Sequence, residues 1–153
     1  MFGQLETDTA FVGQTRFDTW VYGIDLTVPV SESLTFRGEA WHGQALGDVR
    51  GGIGTTINTT TGTEIEASGG WAELALQASD DIKYHLGGTV DDPKRSHLNP
   101  GNPDLNWAAY VGTVVDVNPD IRIGFDTLYW ETEWLATGVG NMVRFDLYCM
   151  MTF

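Results

Sequence analysis

One cysteine, Cys149, in 153 residues excludes an internal disulfide and any cysteine-built metal cluster. Long apolar runs are missing too, and nothing approaches the ~18 residues that a membrane-spanning helix requires. Basic residues are scarce, 8 against 21 acidic, and the net charge of −13 argues against nucleic acid held through its phosphates. The opening twenty residues lack the basic start and apolar core of a signal peptide. No G-x-S-x-G elbow and no histidine pair at helical spacing occur, and His42, His85 and His97 lie far apart. No catalytic residue, metal or cofactor is therefore assigned, and the chain does not read as an enzyme.

What is present is a period of two. Seven segments place apolar residues at alternate positions over about ten residues, the length of a tilted strand crossing a bilayer. Residues 18–28 set Trp20, Tyr22, Ile24, Leu26 and Val28 against Thr19, Gly23, Asp25 and Thr27. Residues 33–43 set Leu34, Phe36, Gly38 and Ala40 against Thr35, Arg37, Glu39 and Trp41. Next come Ala72, Leu74 and Leu76 opposite Glu73 and Gln77, then Ile82, Tyr84, Leu86 and Val90 opposite Lys83, His85, Thr89 and Asp91. Residues 105–116 turn Trp107, Ala109, Val111 and Val115 to the greasy side; residues 121–130 do so with Ile121, Ile123, Phe125 and Tyr129, against Arg122, Asp126 and Trp130. The last segment, 142–153, alternates Val143, Phe145, Leu147, Cys149, Met151 and Phe153 with Arg144, Asp146, Tyr148 and Thr152. A mean hydropathy of −0.14 fits such alternation, because the two faces average out.

The connections predict the architecture. Short turns are expected at 29–32, 79–81 and 117–120, where Pro, Ser, Asn and Asp supply the turn chemistry. Long polar loops are expected at 5–16, 44–69, 92–104 and 131–141. Short turns at one rim and long loops at the other are the organisation of an outer-membrane barrel. The expected fold is all-β: an antiparallel up-and-down transmembrane β-barrel, present as a partial barrel of about seven to eight strands.

On that reading Asp25, Arg37, Glu39, Glu73, Lys83, His85, Arg122, Asp126, Arg144 and Asp146 line a water-filled pore, since a basic residue facing lipid at the midplane costs ~2–4 kcal/mol. Trp20, Tyr22, Trp107, Tyr129 and Phe153 belong to the aromatic girdles. The 44–69 loop is long enough to fold into the lumen, with Asp48, Arg50, Glu64 and Glu66 as candidates for a constriction. Asn58-Thr59-Thr60 matches a glycosylation triplet, a weak signal in this setting. The acidic and amide groups of 91–104 make a weak Ca²⁺ candidate without EF-hand spacing.

Several stretches resemble the C-terminal region of bacterial porin-like outer-membrane proteins: Phe17-Asp18-Thr19-Trp20, Gly38-Glu39-Ala40-Trp41-His42-Gly43, Gly51-Gly52-Ile53, Gly69-Gly70-Trp71-Ala72, Val90-Asp91-Asp92-Pro93 and Tyr129-Trp130-Glu131-Thr132-Glu133. The closing strand, ending on Phe153, also resembles the C-terminal signal by which such barrels reach their insertion machinery. The resemblance implies passive diffusion of small solutes across the bacterial outer membrane. It implies contact with outer-membrane lipid and lipopolysaccharide, with the insertion machinery as a further partner; family members are often homotrimers. Met1-Phe2-Gly3-Gln4 reads as the end of a strand, so residues 1–153 are expected to be the C-terminal part of one barrel domain whose upstream strands and signal peptide are missing. Two alternatives compete: a soluble all-β binding module of jelly-roll or lectin-like type, and a small non-conducting membrane barrel serving as adhesin or anchor.

Overall fold

A computed structural model describes residues 17–48 and 56–152, without the side chain of Asp48. Nine strands follow in order: β1 (Trp20–Pro29), β2 (Leu34–Gln44), β3 (Ile57–Asn58), β4 (Thr63–Glu64), β5 (Glu66–Gln77), β6 (Ile82–Pro93), β7 (Pro103–Asn118), β8 (Ile121–Trp134) and β9 (Gly138–Met151). Seven of them form one antiparallel up-and-down sheet in the order β1-β2-β5-β6-β7-β8-β9, and β3 pairs with β4 in a small hairpin. Each of the seven alternating segments lies on a strand of this sheet. The sheet is open: among the described residues β1 and β9 are its two edges and do not pair with each other.

The short turns form where their residues dictate. Ser31 Oγ accepts the amides of Ser33 and Leu34 at 3.3 and 3.1 Å. Asn118 Oδ1 accepts Asp120 N at 2.9 Å, an Asx turn. Between β5 and β6 the turn is closed by Ala78 N, which donates to Ile82 O at 2.9 Å.

The opposite rim differs from expectation, most of all after β8. Residues 131–141 are not a long loop: β8 runs on to Trp134, β9 begins at Gly138, and only 135–137 connect them. Ala136 at φ 64° and Gly138 at φ 124° turn the chain there. The extension is held by Asn106 Oδ1, which accepts Trp130 Nε1 and, at 2.7 Å, Thr132 Oγ1. The 92–104 and 44–69 connections shorten to 94–102 and 45–65, and each carries a 3₁₀ turn, at Arg95–His97 and Leu46–Asp48. The expected loop at 5–16 lies outside the described residues.

Register fixes the two faces. Residues directly opposite in an antiparallel ladder share a face, so Leu26, Gly38, Ala72, Gly88, Ala109, Tyr129 and Val143 form one row across all seven strands. This row and its even-spaced neighbours make a continuous apolar face. It is uncovered among the described residues: Leu147 is 77% exposed, Phe145 67% and Ile24 63%.

On four adjacent strands the apolar band has the same height. On β6, β7, β8 and β9 it occupies 82–90, 107–115, 121–129 and 143–151, nine residues in each case. It also runs obliquely. A row drawn perpendicular to the strands from Ile24, the centre of the band on β1, passes Ala40, Gly70, Val90, Trp107 and Glu131. It reaches Asn141 on β9, six residues before Leu147, the centre of the band there. Six strand steps thus accumulate six residues of stagger. One residue per strand, at ~3.3 Å rise and ~4.8 Å strand spacing, tilts the strands by about 35° to the normal of the band.

Candidate pore-lining face

The other face carries the charge. Asp25 stands opposite Glu39 and Arg37 opposite Glu73; His85 reaches Asp126 across Gly112, and Asp126 stands opposite Asp146. Lys83, Arg122 and Arg144 occupy the same parity. All ten residues singled out from the sequence as lining candidates therefore share one continuous face.

The basic groups on this face are tied to neighbouring carboxylates. Arg37 pairs with Glu73, Arg122 with Asp116, Lys83 Nζ lies 3.7 Å from Asp116 Oδ2, and Arg144 donates to Asp146 at 2.9 Å. Tyr110 OH donates to Glu73 Oε2 at 3.2 Å, and His85 Nε2 lies 3.0 Å from Asp126 Oδ1. Trp71 Nε1 donates to Glu39 Oε2 at 3.3 Å. Glu73 and His85 are well covered, at 14% and 16% exposed, while the side chains of Arg37, Lys83, Arg122 and Arg144 stay exposed. Tyr110 and Asp116 belong to the same network although the sequence reading passed over them; the alternation that placed Val111 and Val115 on the apolar side already puts both on this one.

Glycine makes the dense packing here achievable. Trp41 lies over Gly69, Tyr110 over Gly87, Tyr148 over Gly124, and both His85 and Asp126 over Gly112, so a Cβ at any of these four would collide with a ring or carboxylate. In all four the ring belongs to the residue directly opposite the glycine in the ladder.

Aromatic residues mark the loop-side edge of the apolar band. The Trp20 and Tyr22 rings lie 5.3 Å apart, and those of Trp107 and Tyr129 5.2 Å. Glu131, on the same face just beyond the band, accepts Trp107 Nε1 at 3.2 Å and Tyr129 OH at 2.6 Å. Phe153 lies outside the described residues.

The long connection after β2 turns toward the charged face. Ala45 takes φ 56°, and Leu46 is then fully buried against Trp41 and Ala67, both charged-face positions, with Val21 packed alongside. Asn58 ties the far end down: its Oδ1 accepts Thr60 N, Thr61 N and Asn99 Nδ2, and its Nδ2 donates to His97 O at 2.9 Å. Asn58 is buried and its side chain is engaged in these bonds, so the amide that glycosylation would modify is not presented to solvent, although Thr59 and Thr60 are exposed.

The constriction candidates separate. Arg50 and the Asp48 side chain lie outside the described residues. Glu64 Oε1 accepts Asp18 N at 3.0 Å. Glu66 stands opposite Gln44, on the apolar-face parity beyond the band, and not on the charged face. There it pairs with Lys94 at 2.7 Å and lies 3.4 Å from His42. The Lys94 hydrogen bond holds the Glu66 carboxyl below its ordinary range. In the 91–104 region Asp104 pairs with Arg95 and Asn99 is spent on Asn58; no group of three or more metal-ligating side chains occurs among the described residues.

No protein family, no curated protein and no solved structure matches this chain.

Proposed function

We propose that the chain forms part of the wall of a bacterial outer-membrane, porin-like channel that passes small solutes by diffusion. The observation that carries this reading is the band. A hydrocarbon layer served by a ~25 Å apolar girdle, crossed by strands tilted about 35°, requires about nine residues per strand. Nine is the height found on β6 to β9. A soluble sandwich has no reason to hold its apolar stripe at that height, or to let it follow a stagger of one residue per strand; it also requires a second sheet over the apolar face, and among the described residues there is none.

On this reading lipid and lipopolysaccharide meet the apolar band, Trp107 and Tyr129 sit at the outer interface, and the charged face meets water. The start of the 45–65 connection narrows the mouth, because Leu46 seats it on the charged face. The insertion machinery takes the chain through β9, whose outward residues are apolar from Val143 to Met151. Envelope fractionation tests the assignment: the protein is expected in the outer-membrane fraction and to need detergent for extraction. Recovery in the soluble fraction without detergent overturns it.

A further inference from the structure

Three side chains at the loop-side edge of the apolar face form an arrangement that pore lining does not use. His42 on β2 and Ser68 on β5 stand directly opposite in the ladder, and Ser68 Oγ lies 2.8 Å from His42 Nδ1. The other ring nitrogen, Nε2, lies 3.4 Å from Glu66 Oε1, and the second Glu66 oxygen accepts Lys94 Nζ at 2.7 Å. A carboxylate at Nε2 selects the tautomer that keeps its proton there and leaves the Nδ1 lone pair for the serine hydroxyl. The Trp20 ring meets the imidazole edge-on, 5.4 Å between centroids. Ser68 and His42 are exposed, and with Asp92, Lys94 and Arg95 they share the wall of a cavity of about 290 Å³. His42 and Ser68 are 26 positions apart, so no sequence motif announces the pair.

The depth of this site matches one bond of a membrane lipid. The perpendicular row from Ile24 meets β5 at Gly70, and two strand steps of stagger put the band centre there at Ala72. Ser68 stands four residues toward the loop rim, as Trp107 does from Val111, the centre of its own band. That is the boundary between hydrocarbon and headgroup, where acyl ester carbonyls lie. Toward the band centre the apolar face loses its bulk. Gly38, Ala40, Gly70, Ala72 and Gly88 lie on three adjacent strands beside Ile24 and Leu26, and a hollow of about 450 Å³ includes Ala40, Gly70, Ala72 and Gly88 in its lining. This is a lane for an acyl chain leading down from Ser68.

We propose that Ser68, His42 and Glu66 form a lipid-facing esterase site that cleaves a fatty acyl ester lying beside a phosphate. The inference rests on the membrane reading above, which puts this face in lipid. His42 Nδ1 takes the hydroxyl proton as Ser68 Oγ bonds to the ester carbonyl carbon. Lys94 and Arg95 offset the charge on the tetrahedral oxygen and attract the headgroup phosphate. Collapse breaks the bond from carbon to the alcohol oxygen, which leaves with the proton from Nδ1. The acyl group stays on Ser68 until water, deprotonated by the same nitrogen, displaces it as fatty acid. Glu66 positions the ring and touches no reacting atom.

The test uses protein purified from outer membranes and placed in phosphatidylethanolamine vesicles with radiolabelled acyl chains, or mixed with lipopolysaccharide labelled in the same way. A hexadecyl fluorophosphonate, which loses fluoride to an activated serine oxygen, is expected to label Ser68, as mapped by peptide mass spectrometry. Fatty acid release is expected, and to fall about 100-fold or more in Ser68→Ala and in His42→Ala. Release from one lipid alone identifies the source of the ester. Glu66→Gln is expected to lower kcat about tenfold or more with KM unchanged. Ala72→Phe fills the lane and is expected to abolish release of long chains while hydrolysis of nitrophenyl acetate persists. Membrane-inserted protein whose Ser68 stays unlabelled, which releases no fatty acid, or whose release survives Ser68→Ala overturns this inference alone. Protein recovered in the soluble fraction overturns the membrane reading and this inference with it.

Discussion

Leu86 occupies the centre of the band on β6, four residues from Ile82 and four from Val90, and β6 is flanked on both sides by paired strands. At ~3.3 Å per residue and a tilt of about 35°, the two ends lie about 11 Å above and below it. Leu86 is 57% exposed, so an arginine there meets no steric obstacle and the cost is set by the surrounding medium. At a bilayer midplane the penalty is about 2–4 kcal/mol, falling to about 0–1 near the interfaces. Leu86→Arg should therefore lower the folding equilibrium constant about 30- to 1000-fold, while Ile82→Arg and Val90→Arg each lower it less than about 5-fold. Denaturant titration in phosphatidylcholine vesicles, followed by tryptophan fluorescence, measures all three. Equal effects at the three depths, or a stable and more soluble Leu86→Arg protein without detergent, would refute the argument.

Gly112→Val should destabilise by about 1–3 kcal/mol through collision with His85 and Asp126, read in the same titration. Asn58→Ala leaves the His97 carbonyl and the Thr60 and Thr61 amides without their partner, and should open the 45–65 connection to limited proteolysis while the strands stay protected. Because Glu66 has its folded-state pKa depressed by Lys94, the pair contributes above the ordinary carboxylate value of 4.5 and is lost as pH falls through the lower folded value. Protection of 94–102 against hydrogen exchange, corrected for the intrinsic rate at each pH, should therefore fall on acidification, and Lys94→Met should show the lower protection already at neutral pH. The four cations of the charged face are each paired with a carboxylate while Asp25 has no partner among the described residues, so a channel lined by this face is expected to favour cations. Asp25→Asn should move the reversal potential in a salt gradient toward zero.

The strands and their faces were legible in the sequence because a period of two is a local signal: Lys83, His85 and Asp126 declare their face through their immediate neighbours. That signal fades above the band, where both faces meet water. Thr132, Glu133 and Asn141 are polar whichever way they point, so the sequence pattern reads the end of β8 and the start of β9 as a loop at 131–141. Glu66 was misplaced for a related reason: the parity of Ala72 and Leu74 extends back to it only once β5 is known to begin there. The seating of Leu46 on Trp41, the hub at Asn58 and the rings over Gly69, Gly87 and Gly124 join residues distant in the chain. No local pattern announces them. The constriction candidates Asp48 and Arg50 carry no structural account.

The central claim is that the apolar band stands in lipid and the charged face in a water-filled pore. Single-channel recording in planar bilayers, with the protein purified from outer membranes, tests both halves at once. Stepwise ohmic conductance, reduced or altered in selectivity by substitutions at Arg37 and Glu73, is the predicted result. A protein that stays soluble without detergent and produces no conductance steps would contradict the account.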